Sequence, residues 1–242
     1  MKRKLGLARV ISKLGYCSRA QAMVLIRADR VRVNGLVRRD VEAPINTEKD
    51  RIEVDGELLE KTESIYLMLN KPRGIVTTAS DEKGRDTVYS LLPKGMPWLA
   101  PVGRLDKASE GLLLMTNDSE WAAGVTDPAT HIEKTYHVQI NGIMNEKHLN
   151  ALHHGIRTET GDVLRVKQVR ELRRGVKNMW LEVVLDEGKN RHIRRMLQAT
   201  NIGVLRLVRV AIGPLEIGKL AKGMARELTH AEKKSLDSDM NP

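Results

Sequence analysis

Apolar residues at Leu7, Val10, Ile11 and Leu14 recur at the three-and-four spacing of one helix face. Gly15 closes that helix, and Ser18 is a good N-cap for a second one over Arg19 to Ala28, with Ala22, Leu25 and Ile26 on its buried side. Val31-Arg32-Val33 then alternates, Asn34-Gly35 makes a tight turn and Leu36-Val37 returns, which predicts a hairpin. Residues 1–60 therefore read as one small helix-helix-hairpin domain. Arg19, Arg27, Arg30, Arg32 and Arg38 hold polar positions around it.

A second regime opens at Ile65. Residues Ile65 to Leu69 are a strand-like apolar run, broken by Lys71-Pro72-Arg73-Gly74, and a second strand is expected over Ile75 to Thr78. Further strands are expected at Leu112–Met115, Tyr136–Ile140, Val166–Val169, Met179–Val184 and Val204–Val210. Helices are expected near Trp121–Val125, Asn145–His153, Arg191–Ala199 and Ala231–Leu236. Residues 61–242 thus read as an α+β domain with a mostly antiparallel central sheet, and the last residues, Asp237 to Pro242, as disordered.

Charge sharpens the picture. The chain of 242 residues has a net charge of +10, and the first forty residues hold eleven Lys and Arg against two acids, Asp29 and Asp40. A positive block on a folded segment is the footprint of a polyanion, so nucleic acid is the expected partner. With no Phe, three Trp and four Tyr, a sheet that stacks several bases on exposed rings is disfavoured. No run approaches eighteen apolar residues, and Arg9 interrupts any signal-peptide core, so no membrane partner is expected. One cysteine, Cys17, makes neither an intramolecular disulfide nor a thiolate zinc cage, and a cytoplasmic location follows. Cys17 itself reads as a packing residue, and His153-His154 as helix-end histidines without metal-ligand partners. Gly213-Pro214 and Gly218 read as turn chemistry.

Three blocks stand out as candidate chemistry. Val102-Gly103-Arg104-Leu105-Asp106 runs through Lys107-Ala108-Ser109-Glu110-Gly111 into an apolar strand, which puts an arginine and a carboxylate on a Gly-bounded loop. Glu133-Lys134-Thr135-Tyr136-His137-Val138 is the second block. The third spans Glu187 to Leu197 and contains Arg191-His192-Ile193-Arg194-Arg195. Taken singly, Asp106 is readable as a turn cap, Tyr136 as a core tyrosine and Arg194 as a helix-surface cation.

Together, in this order, the blocks closely resemble the motifs of the RsuA-like pseudouridine synthases, which modify ribosomal RNA. The run from Leu14-Gly15-Tyr16-Cys17-Ser18-Arg19 to Val31-Arg32-Val33-Asn34-Gly35 resembles the small RNA-binding module named for ribosomal protein S4. The two resemblances cover residues 5 to about 235. They imply an isomerase without metal or cofactor that converts one uridine of ribosomal RNA to pseudouridine, acts as a monomer, and binds RNA through Lys13, Arg19, Arg27, Arg30 and Arg32. They imply Asp106 as the essential carboxylate, Tyr136 stacked on the target base, and Arg194 paired with Asp106. His192 departs from the family, which has glutamine there in many members. Arg104 is expected to fill the space of the flipped base or to hold a phosphate, Lys71 to contact phosphate, and Arg191 and Ile193 to line the substrate site. Attack at the ribose, attack at the base and elimination through a glycal all remain open for Asp106, as does the ribosomal subunit. A non-catalytic ribosome-assembly factor and an enzyme acting on transfer RNA are the rival readings.

Overall fold

The computed structural model describes residues 5–60, 62–79 and 81–240. The chain forms two compact units. One comprises the chain up to Tyr66 with Pro93–Ala100 and Met115–Glu120; the other comprises Leu67–Leu92, Pro101–Leu114 and the chain from Trp121 on.

In the first unit, β1 (Leu5–Gly6) leads into α1 (Leu7–Lys13) and α2 (Arg19–Arg27). The expected caps are present. Gly15 takes φ +78°, where a side chain is strained, and Ser18 forms a capping box with Gln21. Four short strands follow: β2 (Val31–Val33), β3 (Leu36–Val37), β4 (Pro44–Ile45) and β5 (Ile52–Val54), then β6 (Glu57–Leu58). Asn34 and Gly35 both have positive φ, as the predicted two-residue turn requires. The β5–β6 hairpin, which the apolar pattern did not announce, extends the sheet to the order β3-β2-β5-β6. Leu7, Ile11, Ala22, Ile26, Val31 and Val54 are essentially inaccessible and form its core.

The second unit is built on a mixed sheet. Its elements, apart from their ends at Tyr66, Ala100 and Met115–Glu120, are β7 (Tyr66–Lys71), β8 (Ala100–Val102), β9 (Glu110–Thr116), α3 (Ser119–Thr126), β10 (Lys134–Asn141) and α4 (Glu146–His154). Then come β11 (Ile156–Arg157), β12 (Val163–Leu164), β13 (Gln168–Arg174), β14 (Asn178–Leu185) and α5 (His192–Gln198). β15 (Gly203–Ile212), β16 (Leu215–Glu216), β17 (Ala225–Glu227) and α6 (His230–Met240) complete it.

The sheet order is β13-β14-β10-β15-β9-β7-β17. β10 pairs antiparallel with both β14 and β15, whereas β15 and β9 run parallel. Alternation along the strands puts Tyr136, Val138 and Ile140 of β10 on one face with Met179, Leu181 and Val183 of β14. Leu152 of α4 and Ile193, Met196 and Leu197 of α5 pack with them as one core.

Three expectations need correction. Ile75–Thr78 is not a strand: Val76 makes one isolated bridge to Thr87, and the Thr77 hydroxyl turns away to donate to the Leu105 carbonyl at 2.8 Å. The strand expected at Val166–Val169 begins at Gln168. Asp237–Met240 continues α6 rather than being disordered, because Leu236 is fully buried and Asp237 accepts from the Trp121 indole at 2.8 Å. Residues 241 and 242 lie outside the described residues.

Candidate active site

The loop between β8 and β9 carries Asp106, and its backbone is held at five successive carbonyls. Leu105 accepts from Thr77 at 2.8 Å, Asp106 from Lys71 Nζ at 3.2 Å and Lys107 from the Gly74 amide at 2.8 Å. Ala108 accepts from Arg194 Nη2 at 3.0 Å, and Ser109 from Lys71 Nζ at 2.8 Å. Such a loop presents its carboxylate in one position without a rigid element beneath it. Asp106 itself stays partly exposed and lines a cleft of about 470 Å³ with Arg104, Tyr136, Arg191, Ile193 and Arg209.

This geometry relocates two predicted residues. Lys71 is fully buried and its ammonium is spent on the carbonyls of Pro72, Asp106 and Ser109, so it is no phosphate contact. Burial pulls its pKa down to about 8, against the raising effect of the Asp106 and Glu110 carboxylates. Arg194 does not form an ion pair with Asp106. Its guanidinium donates to the Ala108 carbonyl, and Asp106 acts on it only through its field. The nearest cation to the carboxylate is Arg191, at 3.9 Å. Arg191 is an exposed residue in the left-handed conformation that starts α5.

Three further predicted positions line the same cleft. Tyr136 lies on the cleft face of β10, Ile193 is 2% exposed at the cleft wall, and Arg104 is exposed at the rim. His192 also borders the cleft but is buried: its Nε2 donates to the Arg165 carbonyl at 2.9 Å, and burial lowers its pKa below the ordinary value.

Sequence reasoning passed over Lys134 and Arg209, which line the same cleft. The available signal was alternation: Lys134 precedes Tyr136 by two positions on one strand, and Arg209 pairs with Tyr136 across β10 and β15. No group of three or more His, Cys, Asp or Glu among the described residues is arranged to hold a metal ion. No described helix is long and apolar enough to cross a membrane.

In the first unit, three of the five predicted RNA contacts already face carboxylates. Lys13 pairs with Glu120 at 2.9 Å, Arg19 with Glu42 at 2.6 Å and Arg30 with Asp55 at 2.5 Å. Arg27 and Arg32, with Arg9 and Arg38, are exposed and have no carboxylate within 4 Å among the described residues.

The model of the RNA pseudouridylate synthase family matches residues 65–199, and that of the S4 domain matches residues 5–52. The chain belongs to the RNA pseudouridylate synthase family. It is 37% identical to a ribosomal large subunit pseudouridine synthase B of Bacillus subtilis, over 95% of this chain and 94% of that one. A protein of the same name from Salmonella typhi is 35% identical over 93% of this chain and 80% of its own length. A crystal structure of a pseudouridylate synthase superposes with a TM-score of 0.66 at 31% identity, covering 96% of this chain and 99% of that one. As a pseudouridine synthase the protein is an isomerase, with an α+β fold that joins an S4 domain to a mostly antiparallel sheet.

Proposed function

We propose that the protein converts one uridine of large-subunit ribosomal RNA to pseudouridine, with Asp106 as the essential carboxylate. The observation that carries this reading is a cleft lined both by the carboxylate of a five-point-anchored loop and by Tyr136. The large-subunit assignment draws on the names of the relatives, which align with this chain along nearly its whole length.

The reaction breaks the bond from ribose to uracil nitrogen one, turns the base and rejoins it through carbon five; the carbon-five proton leaves to solvent and nitrogen one takes up a proton. Reactant and product are isomers, so no electrons are gained or lost and no cofactor is called for. A base in a duplex is out of reach of the cleft, so the uridine is flipped out. Tyr136 then stacks on it, Arg104 at the rim fills or braces the vacated space, and Ile193 walls the pocket. Asp106 acts on the ribose or the base as an anionic nucleophile or base. Arg191 lies beside the carboxylate, while Arg194 and Lys71 hold its loop. Residues 1–60 carry RNA binding and residues 61–242 the chemistry. The proposed form is a monomer acting in the cytoplasm.

Ribosomal RNA transcripts tritiated at uridine carbon five give the test. The protein is expected to release tritium from large-subunit RNA, and carbodiimide labelling followed by sequencing then names the site. Asp106→Asn should release none while RNA affinity stays within a few fold. Turnover by that variant would remove Asp106 from the chemistry. Release from transfer RNA alone would move the substrate.

A further inference from the structure

Beside Asp106 and Tyr136 the cleft contains a pair of cations to which the proposed chemistry gives no task. Lys134 and Tyr136 stand two residues apart on one face of β10, and Arg209 lies directly across from Tyr136 on β15. Arg209 is only 6% exposed. Its Nε donates to the Leu112 carbonyl at 2.7 Å, and its Nη2 is buried without a hydrogen-bond partner. Lys134 donates to the Ile132 carbonyl at 2.6 Å. Neither cation has a carboxylate within 4 Å among the described residues. Asp186 and Asp239 reach Lys134 only through their fields, whereas burial and the charge of Arg209 both pull the Lys134 pKa down.

Two like charges in a partly desolvated wall repel each other, and a buried guanidinium nitrogen without an acceptor is costly. An incoming anion with oxygen acceptors relieves both. In a nucleotide the base and the ribose are neutral, and the phosphodiester alone has that chemistry. A point-charge ammonium next to a planar guanidinium suits a phosphate's oxygens.

We propose that Lys134 and Arg209 form an oxyanion subsite that takes a backbone phosphate of the nucleotide inserted against Tyr136. The choice of ligand rests on the proposed function, since it assumes that a flipped nucleotide occupies this cleft. Anchoring the phosphate beside Tyr136 would fix how deep the nucleotide enters, and so which atom meets Asp106.

The test uses the full chain, isotopically labelled and titrated separately with uridine, uridine 5′-monophosphate and uridine 3′-monophosphate. Backbone amide shifts of Lys134 and Tyr136 report binding. At least one monophosphate is expected to bind about tenfold or more tightly than uridine, the order of a charge-assisted hydrogen bond. Lys134→Gln should abolish that preference, Lys134→Arg should keep it, and Lys222→Gln, outside the cleft, should leave it intact. The Arg209 guanidinium signals should shift with the monophosphate in the unmutated protein, a readout independent of any variant's folding. Equal binding of uridine and both monophosphates overturns the subsite, as does a preference that survives Lys134→Gln. Slower tritium release by Lys134→Gln with the preference intact would put the pair to work on the departing base instead, which also overturns it. No tritium release from any RNA would defeat the proposed function, yet a Lys134-dependent phosphate preference would still stand.

Discussion

Replacing Lys71 by methionine keeps an unbranched buried stem and removes the ammonium. Three hydrogen bonds are lost, to Pro72, Asp106 and Ser109. The Asp106 carbonyl keeps the Ser109 amide at 2.9 Å, and Pro72 is partly exposed to water, so the buried Ser109 carbonyl is the main orphan. One such orphan costs about 1–3 kcal/mol. Against it stands the cost of burying the charge: a pKa held at about 8 instead of 10.5 corresponds to about 3 kcal/mol. The two effects nearly cancel, so global stability should move by no more than about 2 kcal/mol in either direction. Activity should not be spared, because the loop carrying Asp106 loses two of its five anchors, and small displacements of a catalytic group cost about tenfold or more. Denaturant unfolding and tritium release at saturating RNA, run side by side, separate the two effects. Unchanged kcat in a protein of unchanged stability would refute the anchoring role.

The remaining predictions concern other parts of the molecule. Arg194→Ala frees the Ala108 carbonyl and should lower kcat more than KM, whereas Arg191→Ala removes the cation at 3.9 Å from the carboxylate; both are read by tritium release at several RNA concentrations. Arg27→Gln with Arg32→Gln should flatten the logarithmic salt dependence of RNA binding by roughly 1.4 to 1.8, the contribution of two phosphates, while Arg19→Gln, whose cation already faces Glu42, should change it less. Gly111→Ala would place a Cβ 2.1 Å from the Arg209 carbonyl at φ +103°, and should cost about 3 kcal/mol or more in unfolding free energy.

Much of the fold was legible because local chemistry and packing agree. Ser18, Gly15 and Asn34-Gly35 each specify a cap or turn that the structure uses, and the alternation around Tyr136 and Met179 survives as facing strands. Two of the misses share a cause, which is that a partner outside the segment decided the outcome. Val76 has strand-like neighbours but bonds to Asp86 and Val88, which confine it to a single bridge. The polar C-terminal stretch is helical because Trp121, more than a hundred residues earlier, reaches Asp237. Trp121 lies outside any local window around Asp237.

The same distinction runs through the site, and pH exposes it. The motif containing Asp106 is readable by eye, but the groups that hold it come from β7, the bends after it and α5, all of them through backbone carbonyls that no sequence pattern advertises. Lys71 turns that hidden support into a measurable signature. Its folded pKa lies below its unfolded one, so between about 8 and 10.5 the unfolded chain binds more protons, and this group's contribution to stability rises with pH. Over the same range the neutral amine has one N–H fewer and no charge, so the grip on the Asp106 loop weakens and activity should fall. Stability and turnover should therefore diverge above pH 8 in the natural protein. Lys71→Met, already without the ammonium, should lack that alkaline limb, and finding the same limb in both proteins would assign it to another group.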